Sequence, residues 1–190
     1  MKTVGVLDLQ GAVREHIQML EQCCCKPIKI KTADQLEQID GLIIPGGEST
    51  AIGKLMVKYG FIESILAKAK QGMPVYGTCA GMILLAKNIA GQMSQPLLSV
   101  MDITVKRNGF GRQIASFEAD LTIKGLSDKP FCGVFIRAPY VESVDNNNVD
   151  VMAVCEDKIV MARQDNFLVT AFHPELTDDL RIHQYFLNMM

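Results

Sequence analysis

The residues best suited to chemistry in this sequence are Gly77-Thr78-Cys79-Ala80-Gly81, which follow a short apolar run and open an apolar helical pattern. G-x-C-x-G is the thiol counterpart of the G-x-S-x-G nucleophile elbow. A strand that turns sharply into a helix holds its nucleophile in a strained backbone conformation. Side chains two positions to either side would collide there, so glycine is needed at both. The start of a helix favours thiolate over thiol, and the Ala80 amide is placed to donate to an oxyanion. Taken alone, the same five residues also describe a buried thiol in a glycine-lined turn.

A candidate partner for Cys79 lies far away in sequence, at Phe172-His173-Pro174-Glu175. In an extended segment, residues i and i+2 point to the same side, which sets His173 beside Glu175. Pro174 keeps His173 out of helical geometry and cannot continue a ladder. A carboxylate beside an imidazole fixes its tautomer and stabilises imidazolium, as a Cys–His nucleophilic pair requires. A surface histidine beside an acidic helix start is the other reading, and the elbow upstream weighs against it.

Pro45-Gly46-Gly47-Glu48-Ser49-Thr50 sits between a strand pattern and a helix pattern. Backbone amides in such a loop can face an anion or oxyanion; equally, the segment is a tight turn with Ser49 or Thr50 as helix cap. It is not a P-loop, because Ile52 stands where the second Gly belongs and Leu55 follows Lys54. Arg107-Asn108-Gly109-Phe110-Gly111-Arg112 lacks the third glycine of a dinucleotide fingerprint, with Ile114 in its place. Arg107, and Arg137 at the end of another apolar run, can clamp a carboxylate or simply be solvated. His16 and His183 read as helix-surface residues. Cys132 and Cys155 read as core thiols, and no role attaches to Cys23-Cys24-Cys25.

The elements that must position these groups alternate in the first half. Strand patterns at 3–9, 28–31, 40–44 and 74–77 are separated by helical spacing at 12–22, 49–59 and 61–70, and a helix is expected over 80–89. Such alternation implies βαβ units and a parallel sheet covered on both faces, with ligands at the carboxyl ends of the strands. The second half holds strand patterns at 103–107, 117–123, 133–136, 151–155, 159–163 and 167–171, some of them antiparallel hairpins, and a closing helix over 177–187 with Asp178 and Asp179 near its positive end. The change near residue 95 reads as a change of layer, so one domain over 1–190 is expected.

Composition narrows the classes. Of 190 residues, 48% are hydrophobic and 21% charged, an ordinary globular balance. A net charge of −2 offers no basic footprint for nucleic acid or an anionic membrane. No run approaches the ~20 apolar residues of a membrane helix, and the N-terminus lacks the apolar core of a signal peptide. Six cysteines without C-x-x-C spacing and three histidines give little support for zinc, and the expected state is free thiols in the cytoplasm.

With the elbow and the distant His173-Pro174-Glu175, the chain resembles the class I, triad-type glutamine amidotransferases. Four blocks narrow this to the glutaminase subunits of pyridoxal 5′-phosphate synthases: Leu9-Gln10-Gly11-Ala12-Val13-Arg14-Glu15-His16, Pro45 to Thr50, Arg107 to Gln113, and Phe172 to Thr177. The resemblance implies a three-layer, flavodoxin-like α/β fold with a mixed, mostly parallel sheet. It implies that Cys79 attacks the glutamine side-chain amide, that His173 serves as base and then acid, and that Glu175 orients it. Gly46, Gly47, Glu48, Arg107, Ile136 and Arg137 match glutamine-binding positions, and the Gly47 and Ala80 amides match the oxyanion hole. The ammonia would pass to a barrel synthase subunit, met through the region of Gln10–His16, which makes pyridoxal phosphate for vitamin B6 supply. No tightly bound cofactor or metal is implied. Asp8, Ala51 and Gly109 depart from the commoner residues. Two other readings remain at this level: a glutaminase for another acceptor, such as the imidazole glycerol phosphate branch, and a non-catalytic regulatory subunit on the same fold.

Overall fold

The computed structural model describes residues 1–91, 94–110, 115–127 and 129–190. Gly111, Arg112, Gln113 and Ile114 therefore lie outside the described residues. The first half contains β1 (Thr3–Leu7), α1 (Val13–Gln22), β2 (Lys26–Ile30), β3 (Gly41–Ile44), α2 (Ser49–Lys58), α3 (Phe61–Lys70), β4 (Val75–Thr78), α4 (Ala80–Leu85) and β5 (Ala86–Ile89). The second half contains β6 (Met101–Lys106), β7 (Ser116–Leu121), β8 (Phe131–Ile136), β9 (Tyr140–Val144), β10 (Asp150–Cys155), β11 (Lys158–Gln164), β12 (Phe167–Thr170) and α5 (Arg181–Leu187).

The main sheet has the order β2-β1-β3-β4-β12-β11-β9-β6-β5, with β10 paired to β11, and β7 and β8 form a separate antiparallel pair. Five of the nine pairings described in the main sheet are parallel, so it is mixed and mostly parallel. Every residue of β3, β4 and β12 is buried, the mark of strands covered on both faces. In β6 and β8 buried residues alternate with half-buried or exposed ones, as in strands with one face on the core.

Tyr76 and Gly77, successive in β4, define the layers, because neighbours along a strand face opposite ways. The Tyr76 ring packs on Phe186 of α5 at 5.6 Å and edge-on to His16 of α1 at 6.4 Å. A β-carbon on Gly77 would lie 2.5 Å from the Gly81 backbone of α4, so α4 covers the other face. Gly53 of α2 lies against Leu84 of α4 on that side. The expected three-layer α/β architecture is present, and one apolar core runs through it from Val4 to Leu187.

β4 is flanked by β3 and β12, both parallel to it. Their carboxyl ends therefore meet at one edge. Thr170 pairs with Thr78, and the Cys79 amide donates to the Thr170 carbonyl at 2.8 Å. Residues 79 and 173, far apart in sequence, become neighbours by this pairing.

Several expected elements differ. The apolar run at 80–89 is not one helix: α4 ends at Leu85, and β5 follows and pairs with β6. Periodicity cannot separate a buried helix from a buried strand in a short apolar run, and the break is made by long-range pairing, with Leu98 and Val100 donating to the Leu84 and Leu85 carbonyls. β9 and the 3₁₀ turn Ala33–Gln38, which opens with a capping box between Thr32 and Gln35, lie outside the expected elements. The closing helix starts at Arg181, not at residue 177, because Thr177 and Asp179 tie the preceding turn. Asp179 does accept from the Arg181 amide at 3.1 Å, at the helix's positive end.

Candidate active site

Cys79 occupies the turn between β4 and α4 with φ 49° and ψ −97°, a conformation costly for a residue with a side chain. The glycines on either side are required by contact. A β-carbon on Gly77 would strike Gly81, and one on Gly81 would strike the Ile44 carbonyl. The strained elbow expected from the motif is the one observed, with Cys79 lining a cleft of about 510 Å³.

His173 follows β12 and is anchored by its amide, which donates to the Val134 carbonyl of β8 at 2.8 Å. His173 Nδ1 and Glu175 Oε1 are 2.7 Å apart, and both residues are buried. The reason for their adjacency differs from the one read from spacing. Pro174 begins a 3₁₀ turn, Pro174–Leu176, so the turn, not strand alternation, folds Glu175 back onto the ring. Burial opposes a charge on His173, but the neighbouring Cys79 and Glu175 side chains outweigh it and push its pKa up to about 10. Burial likewise opposes the Glu175 carboxylate, yet His16 and His173 beside it hold the carboxyl below its usual range.

Gly46 and Gly47 sit at the end of β3, opposite Cys79. The Ala12 amide donates to the Gly46 carbonyl at 3.1 Å, and Gln10 Oε1 accepts from the Glu48 amide at 2.7 Å. The helix cap of α2 is neither Ser49 nor Thr50 but Glu48, whose carboxylate accepts from the Thr50 and Ala51 amides at 3.0 and 2.7 Å. Ser49 and Thr50 instead donate to Gln95 Oε1. Arg107 reaches Glu48 Oε1 at 3.3 Å. Glu48 is held below its usual range because these amide donors and Arg107 outweigh its slight burial.

The cleft gathers every glutamine-binding position expected: Gly46, Gly47, Glu48, Arg107, Ile136 and Arg137, with Cys79, Ala80 and His173. Glu175 stands behind His173. The β7–β8 pair carries Ile136 and Arg137 to the rim, and Gly109 donates to Ala138 to tie the Arg107 loop to them. Gly109 is required there, because a β-carbon would strike the Tyr140 ring.

Other residues differ from the expectation of the sequence. His16 and His183 are not helix-surface residues; both are fully buried behind the triad. Their helices are short and two-sided, and α1 presents His16 on the same face as Met19 and Leu20. Gln10, Gly11, Asn108, Pro139 and Leu176 also line the cleft. The first two lie in the block read as partner-facing, and the signal for them was the Gly11-Ala12 turn after a strand. Cys132 and Cys155 are only half-buried, and Asp8 lies 3.7 Å from Lys31. Among the described residues, no group of three His, Cys, Asp or Glu is arranged to hold a metal ion, and no helix is long and apolar enough to cross a membrane.

Residues 6–190 match the SNO glutamine amidotransferase family. The chain belongs to that family. Among relatives in it, the pyridoxal 5′-phosphate synthase subunit PdxT of Anoxybacillus flavithermus is 59% identical over 190 residues, covering 100% of this chain and 97% of its own. The subunit of the same name from Moorella thermoacetica is 56% identical over 187 residues, covering 98% of each chain. A crystal structure of a glutamine amidotransferase, 45% identical, superposes with a TM-score of 0.93 over 98% of this chain and 97% of that one. The fold extends further: the structure of PurLQS from Thermotoga maritima matches with a TM-score of 0.74 at 16% identity, covering 99% of each chain.

Proposed function

We infer that this chain hydrolyses L-glutamine to L-glutamate and ammonia, and that it supplies the ammonia to a pyridoxal 5′-phosphate synthase subunit for vitamin B6 biosynthesis. Membership of the family and the PdxT relatives support the activity. The observation that carries the mechanism is Cys79 in its strained turn, facing a buried imidazole that is itself bonded to a buried carboxylate.

In this reading Cys79 Sγ attacks the side-chain carbonyl carbon of glutamine. The Gly47 and Ala80 amides receive the developing oxyanion. His173, protonated when the thiolate forms, gives its proton to the departing nitrogen, and ammonia leaves. The C–N bond is thereby exchanged for a C–S thioester. Water then attacks the thioester, His173 takes its proton, and the thiolate is released with glutamate. Glu175 keeps His173 in the tautomer with the proton on Nδ1 and stabilises the imidazolium. Gly46, Gly47, Glu48, Arg107, Ile136 and Arg137 form the glutamine pocket, and the guanidinium groups complement the α-carboxylate.

The continuous core supports reading 1–190 as one glutaminase domain. We place the protein in the cytoplasm, with its barrel partner docking beside Gln10 and the outward face of α1, where Arg14 is exposed. Glutamate release should be measured with the chain alone and with its cognate synthase subunit. Strong stimulation by the partner is expected, and Cys79→Ala should abolish it. Glutamine hydrolysis that persists in that variant rules the mechanism out.

A further inference from the structure

A line of buried polar side chains continues from the triad into the protein, away from the cleft. His16 of α1 and His183 of α5 are both fully buried. His16 Nδ1 lies 3.0 Å from His183 Nε2, and His16 Nε2 lies 3.2 Å from Thr78 Oγ1. The same Nε2 is 3.5 Å from Glu175 Oε2, the carboxylate oxygen that His173 does not use. Oε2 has no hydrogen-bond partner among the described residues, which leaves His16 as the group facing it.

The orphaned atom at the far end sets the direction of this line. His183 Nδ1 is buried without a partner among the described residues. Were the proton on that nitrogen, a buried N–H would be stranded, which costs more than a bare lone pair on a neutral ring. So His183 carries its proton on Nε2 and donates to His16 Nδ1. A neutral His16 then carries its own proton on Nε2, where Thr78 Oγ1 accepts and Glu175 Oε2 lies 3.5 Å away without a hydrogen bond. The reverse arrangement would also turn a lone pair toward a carboxylate.

We propose that His16 is a positioning residue for the glutaminase reaction: its Nε2–H dipole, 3.5 Å from Glu175 Oε2, attracts that oxygen electrostatically so that Oε1 stays committed to His173, and His183 fixes the His16 tautomer. The proposal rests on the Cys79–His173–Glu175 reading above. His16 touches neither substrate nor the reacting atoms; it acts through Glu175. Around it stand Glu175, His173, Glu15 on its own helix, His183 from α5 and the Tyr76 ring from β4.

The test uses the full chain with its cognate synthase subunit and compares His16→Leu, His16→Gln and His183→Leu, with Cys79→Ala as control. In His16→Leu the carboxylate loses the N–H dipole that faces Oε2 and protonates more readily. Its kcat should fall about tenfold or more, its KM for glutamine should stay within about twofold, and the acid limb of kcat/KM should move to higher pH. His16→Gln returns an N–H near the Nε2 position and should restore both kcat and the limb. His183→Leu removes the donor that sets the tautomer and should shift the limb the same way, by less. A folded His16→Leu with the parent kcat and pH profile overturns the proposal. If His16→Leu does not fold, an unshifted profile in His183→Leu overturns it. Glutaminase activity surviving in Cys79→Ala would instead overturn the underlying triad reading.

Discussion

Gly46 lies against the edge of the His173 ring, so close that a β-carbon on Gly46 would sit 2.5 Å from His173 Cε1 and 3.4 Å from the Cys79 β-carbon. The loop after β3 and the imidazole after β12 thus share one wall of the cleft. Gly46→Ala should push His173 off Glu175 or displace the loop. Glutaminase kcat is expected to fall at least tenfold, with an overpacking cost of about 1–3 kcal/mol in stability. Steady-state kinetics beside urea unfolding checks this, and an unchanged kcat would show that the contact is not limiting.

Cys79 should be the fastest-labelling thiol of the six. Burial pushes Cys23 up to about 11 and also raises Cys25, Cys132 and Cys155, so these hold less thiolate near neutrality. A limiting dose of iodoacetamide followed by peptide mapping should find the label on Cys79 first. Equal labelling of all six would count against an activated thiol.

Acid should destabilise the fold before its carboxylates titrate. His183 is held down to about 3 by burial and by His16, and burial holds His16 below its ordinary 6.5. The unfolded chain therefore binds protons that the native one refuses, and stability present above about pH 6.5 is lost as the pH falls. Each such group costs about 1.4 kcal/mol per pH unit. Glu175, held low, keeps its contribution above its ordinary 4.5 and loses it further down. His173, raised to about 10, keeps its contribution below 6.5 and loses it as pH rises toward that value. Urea midpoints at pH 7, 6 and 5 should decline with a slope that His183→Leu makes shallower.

Glu48 joins two roles that substitution can separate. Glu48→Ala removes the cap of α2, costing about 1 kcal/mol, and also removes the Arg107 contact. Arg107→Ala leaves the cap intact. Both should raise the KM for glutamine, about tenfold for Arg107→Ala if its guanidinium meets the substrate carboxylate, while only Glu48→Ala lowers the melting temperature. Isothermal titration with glutamine on a Cys79→Ala background reads the binding term directly.

Much of the site was legible because its constraints are local. Gly77 and Gly81 are fixed by collisions within a few residues of Cys79, and Pro174 with Glu175 shapes the surroundings of His173 within one turn. The alternation of β1 to β4 with helices is a property of short windows. The helix–strand break at Leu85 was not legible, because β5 exists only through its pairing with β6.

By itself, then, the sequence determined the kinds of groups available and the backbone strain around each: a thiol that must sit between two glycines, an imidazole two residues from a carboxylate, and a glycine pair after an apolar strand. Only the tertiary structure decided which of these meet. β4 lies between β3 and β12, and that order brings Gly46, Cys79 and His173 to one edge. It also decided that His16 and His183, polar residues on short helices, turn inward. Helical spacing can set His16 on the apolar face of α1, but the burial of an imidazole there is compensated only by partners on other elements: Thr78 on β4, Glu175 after β12, and each histidine for the other.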